Sequence, residues 1–275
     1  MLSSRSGRVK EARRLRQRQQ RAEHGLFLAE GTKSLTEALA ASGVVEVFAT
    51  EDASEQYAAL RKAVDEAGLP WQVADEQAVA SLSGAQTPQG VVAVCRVLDV
   101  PLDELVRVPE ERGTSVSKGP LVICADVRDP GNAGTVIRTA DAAGASGVVL
   151  AGHSVDAYND KTVRATVGSL WHLPLALHDD PADAVRRAQA AGLVVLAADG
   201  AGEVDLFEGE ALLDEPHAWL LGNEAWGLPD ELAALADHRV SIPIHGRAES
   251  LNLATAAAVC LYASARRVTG AASRP

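Results

Sequence analysis

Three stretches of the chain carry polar side chains and glycines at spacings that could do chemistry. In DVRDPGNAGTVIRTADAAGA (126–145), Gly131 and Gly134 let the backbone turn tightly into a helix, Asn132 can cap or orient that turn, and Arg138 follows on the helix. In LLGNEAWGLP (220–229), Gly222 and Gly227 bracket Asn223 and Glu224. In SIPIHGRAESLNLATAAAV (241–259), Ser250 is expected as a helix N-cap with Asn252 in the first turn. Each stretch follows a strand-like run, so each belongs at the carboxyl end of a strand, where open α/β sheets bind ligands. Taken singly, each is also satisfied by a loop and a helix cap.

Other chemistries lack their signatures. No GxGxxG follows a strand, which disfavours a nicotinamide-binding domain, and no GxxxxGK[ST] is present for nucleotide hydrolysis. There is no GxSxG nucleophile elbow. The 7 histidines form no ligand spacing, so no metal is implied. The 3 cysteines, Cys95, Cys124 and Cys260, are far apart and form no CxxC pair, which points to a reducing, cytoplasmic setting. Aromatic residues, at 4%, are too few to suggest a stacking platform for single strands. No apolar stretch approaches the ~20 residues of a membrane span. The N-terminal MLSSRSGRVKEARRLRQ has no apolar segment behind its charges, so it does not read as a signal peptide.

The elements that must position these loops follow from periodicity. Over 1–95, strand-like LFLAEG, VVEVFAT, WQVA and GVVAVCRVL alternate with helical stretches such as KSLTEALAAS and SEQYAALRKAVDEAG. Residues 96–119 change character to proline, mixed charge and a Gly/Ser-rich end, and read as a linker. Over 120–275, apolar runs such as LVICADV, SGVVLAG, LVVLAAD and HAWLLGNE alternate with helices, the last helix spanning 250–268. The fold class is therefore α/β, with a parallel sheet in the C-terminal domain and a smaller N-terminal α/β domain.

The net charge is −11, from 26 Lys+Arg against 37 Asp+Glu, which by itself disfavours nucleic acid. Residues 1–21 nevertheless hold Arg5, Arg8, Lys10, Arg13, Arg14, Arg16, Arg18 and Arg21 against Glu11 alone, a local charge of +7 that leaves −18 for the rest. Val9, Ala12, Leu15 and Gln19 recur there at helical spacing, giving an N-terminal helix with a narrow apolar stripe. Such a helix is either a solvated charged face or an arm that contacts phosphates, and composition does not separate the two.

In order and spacing, the three stretches resemble the motifs of the SpoU (TrmH-like) family of RNA ribose 2′-O-methyltransferases, in the SPOUT superfamily. N-x-G-x-x-x-R is matched by Asn132, Gly134 and Arg138, and G-x-E-x-x-G-[LI] by Gly222, Glu224, Gly227 and Leu228. I-P-[MI] followed by [ES]-L-N-[VL] is matched by Ile242, Pro243, Ile244, Ser250, Leu251, Asn252 and Leu253. Towards the N-terminus, Phe27, Glu30, Gly31 and the step Gln89-Gly90-Val91 are similar to the substrate-binding domain that often precedes such enzymes.

The resemblance implies a C-terminal SPOUT domain with a deep trefoil knot (120–275) and an N-terminal RNA substrate-binding domain (1–95). It implies S-adenosyl-L-methionine as cofactor, held around Gly222, Asn223 and Gly227, by Ile242 and Leu251, and by Ala198 and Asp199 at the preceding strand end. It implies a homodimer with the active site at or near the subunit interface. It assigns catalysis to Arg138, with Asn132, Glu224, Ser250 and Asn252 shaping the site. An arginine is nearly always protonated, so it acts either as a strongly perturbed proton acceptor or as a donor that fixes a phosphate and polarises the hydroxyl. The arm residues Arg8, Lys10, Arg13, Arg14, Arg16 and Arg18 are the expected RNA contacts, and deleting 1–21 is expected to cost RNA affinity more than cofactor affinity. Ribosomal RNA is favoured over tRNA as substrate. The alternatives are a catalytically silent RNA-binding or ribosome-assembly factor, and a small-molecule α/β enzyme that uses the same loops.

Overall fold

The computed structural model describes residues 1–107 and 119–272. Its helices, in chain order, are α1 (Gly7–Arg14), α2 (Arg18–His24), α3 (Thr32–Ala40), α4 (Glu51–Gln56), α5 (Ala58–Glu66), α6 (Glu76–Leu82), α7 (Leu102–Leu105), α8 (Pro130–Ala142), α9 (Asp160–Thr166), α10 (Pro181–Ala190), α11 (Asp230–Ala233) and α12 (Leu253–Ala272). The strands are β1 (Leu26–Glu30), β2 (Val44–Ala49), β3 (Trp71–Val73), β4 (Val91–Arg96), β5 (Leu121–Ala125), β6 (Gly147–Ala151), β7 (Leu175–His178), β8 (Val194–Ala198), β9 (Val204–Asp205), β10 (His217–Leu221) and β11 (His238–Ser241). They form two compact units: Met1–Leu98 with Asp156–His172, and the described residues within Asp99–Val155 and Leu173–Pro275.

The first unit is a sheet of order β1-β4-β2-β3, antiparallel except for β2 and β3. Alternation along β1 sends Leu28 into one core and Phe27 to the other face. On Leu28's side, Val9, Ala12 and Leu15 pack with Phe48, Ala78, Leu82, Val92 and Val94. The apolar stripe of the basic segment is thus a core-facing stripe. The single expected N-terminal helix is two helices. Leu15, Arg16 and Gln17 donate to the carbonyls three residues back, at 3.1, 3.2 and 2.9 Å, a tight turn that ends α1. On the other face, the Phe27 ring lies 4.7 Å from that of Tyr158 and 6.0 Å from that of Trp171. Segment 156–172 is held further by Arg21, whose Nε and Nη2 both donate to Asp156 Oδ2, at 3.0 and 2.6 Å.

The second unit is a seven-stranded parallel sheet, β7-β6-β5-β10-β8-β11-β9. β5, β6 and β10 are buried at every position, as continuous apolar runs require when both faces are covered. Residues expected as linker partly belong to this unit. Val100 N donates to Leu175 O at 2.8 Å, and Leu102, Leu105 and Val106 enter the core, while 108–118 of that stretch lie outside the described residues. The two-residue strand β9 is too short to show a period in sequence. α12 packs against α8 and is pinned to the sheet by Ser264, which accepts from Trp219 Nε1 at 2.9 Å and lies 2.8 Å from His217 Nε2.

Candidate active site

The chain leaves β5 for β6 and β7 on one side, crosses to β8 and β9 on the other, places β10 between β5 and β8, and ends with β11 between β8 and β9. That is the switch point of the sheet, the usual place for a ligand crevice. The register brings the strand ends level, with Leu221 beside Cys124, Leu220 beside Ala197 and Val240 beside Ala198. The loops after β5, β10, β8 and β11 therefore leave one edge together.

The loop after β5 enters α8 at Pro130, so Gly131 and Gly134 lie within the helix and not in a turn before it. Asp129 Oδ1 accepts from Asn132 N at 2.8 Å and Pro130 takes the first helical position, so Asp129, not Asn132, is the cap. Asn132 is thereby a first-turn residue with its side-chain amide free for other partners. Glu224, from the loop after β10, meets this helix start. Its Oε2 accepts from Arg128 N at 3.2 Å, and its Oε1 accepts from Asp129 N at 3.1 Å and from Asn132 Nδ2 at 3.3 Å. A carboxylate at a helix N-terminus faces the positive end of the aligned peptide dipoles.

Gly222 and Gly227 are explained by backbone proximity. A Cβ on Gly222 would lie 2.4 Å from Gly227 C and 2.6 Å from Leu228 N, so only glycine fits. Asn223 and Gly227 exchange two backbone hydrogen bonds of 2.9 Å, and Gly227 has a φ of 69°. Asn223 donates through Nδ2 to Asp126 O at 2.6 Å and accepts at Oδ1 from Ala225 N at 2.8 Å. Its role in the structure is to lock the loops after β5 and β10 together. Beneath them, burial first and the Glu224 charge second push the Cys124 thiol up to about 12, which makes it a neutral packing group.

The third loop corrects the Ser250 cap. α12 starts at Leu253, and Asn252 caps it by accepting from Ala254 N at 2.9 Å. Ser250 is exposed two residues before that cap, too early to reach the first free N–H groups, and makes no hydrogen bond among the described residues. Asn252 also donates through Nδ2 to Asn132 Oδ1 at 3.2 Å. Glu224, Asn132 and Asn252 thus form one chain of side-chain hydrogen bonds joining all three loops.

Arg138 stands apart from that chain. It lies six residues beyond Asn132 on α8, about 9 Å along the axis and on a different face. It is exposed, and no hydrogen bond or ion pair engages it among the described residues. Ala198, Gly222 and Ile242 end or follow the adjacent strands β8, β10 and β11, and Leu251 precedes the cap of α12. The Asp199 carboxylate already has a partner, accepting from Arg239 Nη2 at 2.6 Å and Nε at 2.9 Å. Burial raises its pKa, but the Ala201 N–H and the Arg239 guanidinium outweigh that and hold it below the ordinary carboxylate value.

In the first unit, Lys10, Arg13, Arg14 and Arg18 are exposed and have no carboxylate partner among the described residues. Arg8 pairs with Glu46 at 3.3 Å and Arg16 donates to Ser81 O at 3.4 Å. Among the described residues, no group of His, Cys, Asp or Glu is arranged to hold a metal ion, and no helix is long and apolar enough to cross a membrane. Residues that sequence reasoning passed over are Asp129, signalled by the Asp-Pro pair that opens α8, and the Arg128–Trp226 pair, for which no spacing rule exists.

The SpoU rRNA Methylase family pattern matches residues 119–262, and the MRM3-like substrate binding domain matches residues 7–93. The chain is 32% identical over 263 residues to the 23S rRNA (guanosine(2553)-2′-O)-methyltransferase RlmP of Bacillus subtilis, covering 94% of this chain and 96% of that one. The AdoMet-bound rRNA methyltransferase from Sinorhizobium meliloti superposes with a TM-score of 0.82 at 35% identity, covering 98% of this chain and 97% of that chain. The SpoU methyltransferase AviRb from Streptomyces viridochromogenes, in complex with AdoMet, gives 0.80 at 30% identity, covering 96% and 100%.

Proposed function

Since the chain belongs to the SpoU rRNA methylase family, we propose a division of labour among its own residues. The protein is an RNA ribose 2′-O-methyltransferase that uses S-adenosyl-L-methionine and acts on ribosomal RNA. The observation that carries the residue assignments is the Glu224–Asn132–Asn252 chain, which ties all three motif loops into one framework.

The strand ends fit the cofactor. Gly222 lets the loop after β10 fold tightly against the Gly227 and Leu228 backbone, and the backbone after β8, β10 and β11 leaves adjacent strands at the same edge. Gly222, Asn223, Gly227, Ile242, Leu251 and Ala198 would hold S-adenosyl-L-methionine largely by backbone. The Asp199 carboxylate supports this wall through Arg239. When bound, the cofactor supplies an electrophilic methyl group on a sulfonium.

Displacement at that methyl demands alignment of the acceptor oxygen above all. Asn132 and Asn252, cross-bonded and anchored by Glu224, form the floor against which the ribose is set. Ser250, unpaired beside the cap of α12, is free to contact substrate. Arg138, exposed and unpaired among the described residues, acts as a donor: it fixes a substrate phosphate and polarises the 2′-hydroxyl, whose proton leaves to solvent. Its distance from Asn132 along α8 supports a homodimer in which a second copy of the chain completes the site. The first unit binds structured RNA through Lys10, Arg13, Arg14 and Arg18, with Arg8 and Arg16 recruited from weaker partners. The setting is the cytoplasm, the fold is threaded as a trefoil knot, and rRNA rather than tRNA is the physiological target.

The test is mass-spectrometric mapping of 2′-O-methyl groups in rRNA from a deletion strain and its parent. Loss at one nucleotide, restored by the wild-type gene but not by Arg138→Ala, is the expected result. An unchanged rRNA map would overturn the rRNA assignment.

A further inference from the structure

Trp226 has no part in the framework described above, yet it sits on the loop that carries Glu224 and is 54% exposed. An indole left in water adds little to folding, so its mounting is informative. The loop beneath it is stiff, closed by the paired 2.9 Å hydrogen bonds between Asn223 and Gly227 and by the Asn223 side chain. One face of the ring is covered by Arg128, whose guanidinium carbon is 5.0 Å from the ring centroid. Arg128 is itself exposed and has no carboxylate partner among the described residues. Its backbone N–H donates to Glu224, so cation and indole hang from opposite sides of one hydrogen-bonded junction.

We propose that the Arg128–Trp226 pair is a nucleobase grip: the indole face turned away from Arg128 stacks on a base of the RNA at or beside the methylated nucleotide, and the guanidinium holds the adjoining phosphate. The substrate class rests on the methyltransferase reading; the geometry of the pair does not. Every base has a π face, so the grip fixes the position of the strand and is tolerant of base identity. The cation on the inner face accounts for a negative neighbour, since a stacked base brings its phosphate with it. Trp226 and Arg128 are binding residues and take no part in proton transfer.

Trp226→Ala and Trp226→Phe, made in the full chain, test this against deproteinised 23S rRNA from a strain lacking the gene. The readouts are KM and kcat for methyl transfer, RNA affinity by filter binding, S-adenosylmethionine affinity by calorimetry, and mass by light scattering. Trp226→Ala is expected to raise KM and Kd for RNA about tenfold or more, with cofactor affinity and mass unchanged, and Trp226→Phe to recover most of the loss. Unchanged RNA affinity overturns the grip. A change in mass makes Trp226 a subunit contact, and lost cofactor affinity makes it part of the cofactor wall; either result overturns the proposal. If the wild type transfers no methyl group to this RNA but Trp226→Ala still weakens binding, the grip stands and the enzymatic reading falls.

Discussion

Glu224 Oε1 accepts a hydrogen bond from Asn132 Nδ2 at 3.3 Å, although 92 residues separate them in the chain. The same carboxylate takes the backbone N–H groups of Arg128 and Asp129, so one side chain closes the start of α8 and fastens the loop after β10 to it. Glu224→Ala should lower methyl transfer at least tenfold. Because the group is exposed, stability should fall by only about 1 kcal/mol. Turnover assays paired with thermal melts check this, and a large stability loss with full activity would refute the positioning role.

Arg138→Ala should abolish transfer and leave S-adenosylmethionine affinity within about twofold. Arg138→Lys should recover little, because a point charge does not reproduce the fork that holds phosphate. Calorimetry beside a tritium-transfer assay separates the two readouts, and near wild-type turnover in either variant ends the assignment.

Gly222→Ala places a methyl group against the Gly227 and Leu228 backbone, so the loop must open. Cofactor affinity should drop tenfold or more, with RNA affinity retained. Equal losses of both would mean that the loop serves general folding.

The basic arm separates into two kinds of arginine. Val9, Ala12 and Leu15 are core residues and Arg21 is buried against Asp156, so deleting 1–21 would remove part of the first unit's interior along with its charge. The triple variant Arg13→Ala, Arg14→Ala, Arg18→Ala is the cleaner test. It should weaken RNA binding and flatten its salt dependence by up to about three units of slope, with the melting temperature nearly unchanged. Arg21→Ala should instead cost about 3–5 kcal/mol, because it leaves Asp156 uncompensated. Titrations at several salt concentrations and chemical denaturation distinguish them.

His217 supplies a pH signature. Burial lowers its pKa, opposed by the Glu215 carbonyl, so the folded state holds the neutral ring while the unfolded chain titrates near the ordinary value of about 6.5. Its contribution is complete above that value and is lost as pH falls below it, when the unfolded state takes up a proton that the folded state refuses. The wild type should lose stability more steeply than His217→Gln between pH 7 and 5. Parallel slopes in denaturation at the two pH values would contradict this.

The parallel sheet and its helices were legible because runs such as LVICA and GVVLA are apolar throughout, which few other environments tolerate. The three loops were legible because each couples glycine to a polar residue at a strand end. What sequence could not show was partnership. Asn132 and Asn252 lie 120 residues apart, and only the strand order brings them within 3.2 Å. The cap of α12 was misread because Ser250 and Asn252 are both good caps, and the choice depends on where the chain can turn. Trp226 was invisible because a low aromatic total says nothing of where a single indole sits.

The first unit is discontinuous in sequence, and that sets a timetable for synthesis. Phe27 leaves the ribosome more than a hundred residues ahead of its ring partners Tyr158 and Trp171, and Arg21 waits as long for Asp156. Until residues 156–172 have been made, the face of the nascent N-terminal sheet that carries Phe27 lacks part of its apolar cover. A fragment ended at Leu98 would freeze that half-built condition, so sticky behaviour of such a fragment would report on how the chain is assembled, not on the quality of its RNA surface.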